Sequence, residues 1–304
     1  MMKSLNLIVL QMRKCGACET LNKQAWVAKE GELKNIIAPC ILGVYTLPEH
    51  RNKGYAGKMI NLLNKYWDSK LNDDCFMYLY SEVGDFYERV EYKGFKIPTH
   101  KIKLDDKIEL NNLGSDYEYL YYNSYQDLID QYNQRVQNLI VSKSKTTSKF
   151  IYSQIPLIDY FSWFHLRDFH TGEILGRYPT ATTIDQVKFG VKFDNENYII
   201  WKHEWNFEEL IILGCNTTNL KNLIELFELS IIEYKQSKLK YVYLWDSSIP
   251  ISIKQDFLKH LNDKYPNSKF NQINSSIPSI RPLNIDTRND VDYIWETNEK
   301  WGWS

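Results

Sequence analysis

Residues 40–63, CILGVYTLPEHRNKGYAGKMINLL, constrain this chain more than any other stretch. The apolar residues Ile41, Leu42, Val44 and Tyr45 predict a buried strand. Pro48 ends it, because proline has no N–H to give to a ladder. Arg51, Asn52, Lys53, Gly54, Tyr55 and Ala56 form a basic, glycine-bearing loop. From Gly57 onward Met59, Ile60, Leu62 and Leu63 fall on helical spacing, so an amphipathic helix is expected over 57–70. Strand, loop and helix start in this order make an anion site, with free N–H groups and the positive helix end converging. It is not a Walker A loop. No glycine stands five residues before Gly57, and Met59 replaces the required Ser or Thr.

At 304 residues the chain is long enough for two domains, each with its own core. Its 37 basic and 38 acidic residues nearly cancel, which removes the electrostatic case for nucleic acid or an anionic membrane as partner. Five cysteines, an odd number with no paired framework, point to a reducing compartment, and a cytoplasmic location is expected. Cys15 and Cys18 form a C-x-x-C without a second pair to complete a zinc set, so no metal is expected. No apolar run reaches the roughly 18 residues of a membrane span. The run 5–10 lacks a small-residue cleavage site after it and reads as a strand.

Further strands are expected at 5–12, 18–27, 36–46 and 75–81, with a turn at Glu30-Gly31-Glu32 and a short helix from Asp85 toward Gly94. Tyrosines and leucines over 111–148 (Tyr117, Leu120, Tyr121, Leu128, Ile129, Tyr132) pattern as helix and close in the polar run 142–149, which has the composition of a linker. Beyond it a helix is expected at 155–169, strands at 187–193, 197–205 and 208–214, a helix at 219–235 and a strand at 238–245. Strand, strand, helix, strand repeats the order of the first half. The loop at Gly214-Cys215-Asn216-Thr217-Thr218, however, carries no arginine and no second glycine.

Arg51-x-x-Gly54-x-Ala56, preceded by V-Y-T-L-P-E-H, resembles the pyrophosphate loop of the GCN5-related N-acetyltransferases (GNAT). Phe86-Tyr87-Glu88-Arg89 with Gly94-Phe95 resembles the second signature of that superfamily, at a longer spacing that predicts a distorted helix end. C-E-T-L at 18–21, L-Y-S at 79–81, W-K-H-E-W at 201–205, P-S-I-R at 278–281 and N-E-K-W-G-W at 298–303 together resemble the fungal L-lysine N6-acetyltransferases. The resemblance implies an α/β (α+β) GNAT fold, a central mixed sheet flanked by helices, over 1–107. A helical connection and linker would follow at 108–149, then a degenerate GNAT-like domain without phosphate loop at 150–304. An unrelated α+β domain is the alternative for that last part. The strand and helices that usually precede the segment starting at Leu5 are expected to be missing.

The same resemblance implies acetyl-CoA as donor and a small-molecule amine, free L-lysine, as acceptor. Amides of Asn52, Lys53, Gly54, Tyr55 and Ala56 would hold the pyrophosphate, with Arg51 and Lys53 adding charge or standing solvated. Val44, Tyr45 and Thr46 would pair with the pantetheine arm. Tyr87 would protonate the leaving thiolate. A lysine amine is neutral in roughly one molecule in 2,000 at pH 7, so a carboxylate is needed to take its proton. Glu19 is the first candidate and Glu82 the second. Arg281 is the candidate clamp for the acceptor's α-carboxylate, or else it pairs with an acidic residue between the two domains. His203 and His165 receive no catalytic role. A non-catalytic acyl-CoA-binding protein and a peptide or protein N-acetyltransferase remain the alternatives, and the oligomeric state is not legible.

Overall fold

The structure, a computed structural model, describes residues 7–12, 15–103, 116–283 and 293–303. Strands β1 (Leu7–Met12), β2 (Gly16–Lys29) and β3 (Glu32–Thr46) lead into helix α1 (Tyr55–Asp68), β4 (Phe76–Ser81) and the short β5 (Lys93–Gly94). Next come β6 (Thr99–Ile102), β7 (Glu118–Leu120), helix α2 (Gln126–Ser144), β8 (Phe150–Gln154) and helix α3 (Ile158–Ile174). Then follow β9 (Gly190–Lys192), β10 (Tyr198–Glu204), β11 (Glu209–Asn216), helix α4 (Leu220–Gln236) and β12 (Tyr241–Trp245). Helix α5 (Lys254–Lys264), β13 (Lys269–Gln272), β14 (Ile277–Pro282) and β15 (Tyr293–Glu296) complete the order.

The chain divides into two compact units, and neither is continuous. The first takes Met1–Lys96, Arg135–Ile155 and Ser275–Asn298; the second takes Ile97–Gln134, Pro156–Asn274 and Glu299–Ser304. The division therefore differs from the one expected at 107 and 149. Residue 107, and the start of the helix expected from 111, lie outside the described residues. Residues 142–149 do not behave as a linker: α2 runs through Ser144, whose hydroxyl accepts from the Gly31 amide at 2.9 Å, and Lys143 pairs with Glu296. Glu118–Leu120, expected to be helical, is strand β7, because its backbone pairs antiparallel with β9.

In the first unit the sheet runs β15-β8-β2-β3-β4-β14-β5, and β1 pairs with the part of β2 that β8 does not reach. β4 lies between β3 and β14, which is why FMYLYS reads as a continuous apolar run instead of an alternation. On one face Met77 and Leu79 meet Met59, Ile60, Leu63 and Trp67 of α1. Burying each such side chain stabilises by about 1.5–3 kcal/mol. On the other face Phe76 and Tyr78 pack with Cys40, Tyr152 and Trp295.

The second unit's sheet runs β13-β6-β12-β11-β10-β9-β7. Its centre repeats the first unit's logic. The hairpin β10–β11 is antiparallel, α4 follows, and β12 returns parallel to β11, as β2–β3, α1 and β4 do. Trp301 closes a core with Phe161, Phe164 and Leu128, its ring stacked on Tyr160 and Phe161.

Candidate active site

The end of β3 departs from regular pairing in two ways. Opposite Cys18 of β2 stand two residues, Gly43 and Val44, because the register passes from Glu19↔Leu42 to Ala17↔Tyr45. Gly43 sits at φ +56, so this is a bulge of the glycine type that turns the strand and re-aims its amides. On the opposite edge the parallel ladder to β4 is confined to Cys40 and Tyr78. The last residues of β3, including Val44, Tyr45 and Thr46, thus run on beyond the point where that ladder stops. Gly43 was missed in the sequence, although an isolated glycine inside a strand pattern signals a bulge.

A short 3₁₀ turn at Pro48–His50 leads from β3 into the basic loop. Asn52 (φ +60) and Gly54 (φ +75) are both left-handed, and Gly54 is the N-cap of α1 with no side chain to cap the helix amides. α1 begins at Tyr55, two residues before the expected start. A Cβ placed on Gly54 would meet nothing of its own chain within 4 Å. The helix start therefore carries no side-chain cap and has open space beside Gly54. Arg51 and Lys53 are exposed; the Arg51 Nε donates to the Thr46 carbonyl at 3.1 Å and Lys53 Nζ to the Glu49 carbonyl at 2.8 Å. These bonds brace the loop while leaving positive charge beside it.

Tyr87 lies on the 3₁₀ run Phe86–Val90, not on an α-helix, because Glu91 turns left-handed (φ +75) and the Tyr92 amide closes back on the Tyr87 carbonyl at 3.1 Å. Its ring is buried in one cluster with Cys18, Ile41 and Met59, and Val44 packs against that cluster. Burial, reinforced by the neighbouring Cys18, pushes the phenol up to about 12. Burial, with the charge of Glu19, pushes the Cys18 thiol up to about 11. Tyr87 therefore stays protonated at neutral pH, and Cys18 is a thiol of low nucleophilicity. Glu19 is exposed and reaches over the bulge: a Cβ on Gly43 would lie 3.7 Å from its carboxyl carbon. Glu82 is exposed in the turn after β4. Glu19 thus lies beside the bulge, and Tyr87 lies in the cluster of Cys18, the residue opposite the bulge.

Arg281 is not available to an acceptor carboxylate. From β14 its Nη1 and Nη2 bind both oxygens of Asp68 at 2.7 and 2.9 Å, while Nε and Nη2 bind Glu91 at 3.1 and 3.0 Å. Four donor contacts to two carboxylates of its own unit correct the expected role, and its side chain is 8% exposed.

Residues 101–304 match the family of the LYC1 GNAT-like C-terminal domain. The chain belongs to this LYC1 GNAT-like family. It is 31% identical over 310 residues to uncharacterized protein YGR111W of Saccharomyces cerevisiae, across 94% of this chain and 76% of the yeast protein. It is 23% identical over 259 residues to a lysine acetyltransferase of Yarrowia lipolytica, across 74% of this chain and 66% of that enzyme. Among solved structures it resembles Eis1 from Mycobacterium abscessus, with TM-score 0.51, 13% identity and 91% of this chain covered. A probable N-acyltransferase from Enterococcus faecalis gives TM-score 0.51, 13% identity and 90% coverage. The chain spans 64% and 60% of those two structures, under two thirds of either, and the likeness is one of fold.

This LYC1-like chain carries an open helix start in one unit and a closed one in the other. In the second unit Asn219 caps α4, its side chain accepting from the Asn222 amide at 3.2 Å. Asn197 ties down the same corner, accepting from Thr217 Oγ1 at 2.6 Å and Asn222 Nδ2 at 2.9 Å. The helix end that could hold an anion is filled by the chain's own side chains, as a degenerate GNAT-like half requires. His203 and His165 are buried in this unit. Burial, helped by the charges of His203 and Lys202, lowers His165 to about 3, and its ring stacks on Phe189 at 4.0 Å.

Proposed function

We propose that this chain moves an acetyl group from acetyl-CoA directly to the side-chain amine of free L-lysine. The observation that carries the reading is the uncapped, left-handed entry to α1 at the end of a bulged β3. Amides of residues 52–56 hold the pyrophosphate, and Gly54 lets it approach the backbone closely. The edge of Val44, Tyr45 and Thr46 that runs beyond the β4 ladder pairs with the pantetheine arm. An amide turned by the bulge stabilises the carbonyl oxygen as charge develops, a contribution of ~3 kcal/mol. Glu19 takes a proton from the acceptor ammonium and releases it to solvent. The amine nitrogen attacks the thioester carbon, the C–S bond breaks as Tyr87 gives its proton to the sulfur, and the second proton, lost from the nitrogen as the amide forms, restores the Tyr87 phenol.

Lysine as acceptor rests on the motifs shared with the fungal lysine acetyltransferases and on the Yarrowia relative's name. A cytoplasmic setting belongs to the same proposal and rests on an odd number of cysteines, five, without a paired framework. Among the described residues no helix is long and apolar enough to cross a membrane. Tyr87→Phe is expected to lower kcat by roughly 10²-fold with the KM for acetyl-CoA nearly unchanged, since the phenol acts as the bond breaks. Steady-state kinetics with varied acetyl-CoA and lysine check this. Ping-pong patterns, or acetyl label retained on Cys18, would contradict direct transfer.

A further inference from the structure

The clamp around Arg281 joins three elements of the first unit. β14 supplies the arginine and is paired in register with β4 at Arg281↔Met77. α1 supplies Asp68 at its last turn, held down by the neighbouring buried Trp67. Glu91 is the residue at which the Tyr87-bearing turn leaves its 3₁₀ path. A second tie holds the same exit: Asn64 Nδ2 of α1 donates to the Val90 carbonyl at 3.1 Å, and the Tyr92 hydroxyl donates to Asn64 Oδ1 at 2.9 Å. Five residues of 3₁₀ helix have poor intrinsic stability, so their orientation is set by such ties.

We infer that Arg281 is a positioning residue for Tyr87, fixing the turn that aims its phenol through the ion pair to Glu91; the catalytic part of this rests on the acyltransfer reading above. A guanidinium is the one side chain that can hold Asp68 with two parallel bonds and still reach Glu91. Lysine offers a single ammonium and cannot reproduce the fork. Glu91 is about half exposed, so loss of its charge loosens the turn without removing a core contact.

The test uses the full chain with 3-fluorotyrosine at position 87 and the substitutions Glu91→Gln and Arg281→Lys. The wild type should give one sharp fluorine resonance, and both variants a displaced or doubled one while remaining folded by circular dichroism. This readout does not depend on turnover. In turnover, Glu91→Gln should lower kcat by roughly fivefold with the acetyl-CoA KM unchanged, and by less than about twofold in a Tyr87→Phe background. An unmoved resonance, or equal kcat losses in both backgrounds, would overturn the positioning role. If Tyr87→Phe alone loses nothing, the leaving-group role of Tyr87 fails, and the resonance still decides whether Arg281 positions the ring.

Discussion

Gly54→Val should weaken acetyl-CoA binding by more than about tenfold, a loss above ~1.4 kcal/mol, in a protein that still folds. Gly54 caps α1 at φ +75, and nothing of its own chain lies within 4 Å of where a Cβ would stand. A side chain would therefore intrude on the space in front of the helix amides and not on the core. The left-handed backbone adds a strain of about 1–2 kcal/mol, which a domain with net stability of about 5–15 kcal/mol survives. Gly54→Asn separates the two effects, because asparagine tolerates the left-handed region yet fills the same space. Isothermal titration should show both variants weakened. Unchanged affinity in both would remove the pyrophosphate from this loop.

His203→Leu should cost about 3–5 kcal/mol of stability, the largest single-site loss expected in the second unit. His203 of β10 lies between Asp168 of α3, 3.2 Å from Nδ1, and Glu233 of α4, 3.1 Å from Nε2. Leucine fills much the same volume, so the loss comes from two buried carboxylates that lose the imidazolium between them, Lys188 remaining 3.9 Å from Glu233. Burial disfavours the imidazolium, but the hydrogen bonds and charges of Asp168 and Glu233 outweigh it and raise His203 to about 9. A folded value above the unfolded one stabilises fully below about pH 6.5 and loses that contribution as pH rises through about 9. His165 acts on the other flank: held neutral down to about 3, it loses stability as pH falls from about 6.5 toward that value. Chemical denaturation across pH 5–10 should show the alkaline decline in the wild type and not in His203→Leu.

The loop, the helix and the central strand were legible because their signals are local. A glycine-bearing basic loop between an apolar run and a 3.6-residue period sits within one short stretch, and the structure forms β3 and α1 there. The division of the chain was not legible, because it depends on pairings between distant residues. Ile277 of β14 pairs with Ser81, and Ala28 of β2 with Ile151, and no local pattern encodes either choice. N-E-K-W-G-W is split for the same reason: Asn298 falls in the first unit, while Glu299 and Trp301 fall in the second. Arg281 was singled out for the right chemistry, bidentate recognition of a carboxylate, but its partners are Asp68 and Glu91, far away in sequence. Tyr87 and Glu19 are motif and strand-order candidates. Glu19 lies beside Gly43 through the bulge, which depends on register and not on composition.

The most direct test mixes the purified chain with acetyl-CoA and free L-lysine and follows thiol release together with the mass of the amino acid. One N6-acetyl-lysine is expected per thiol released, with intersecting double-reciprocal lines as both substrates vary. Tight binding of acetyl-CoA with no thiol release to lysine or to peptides would contradict the enzyme reading and leave an acyl-CoA-binding protein.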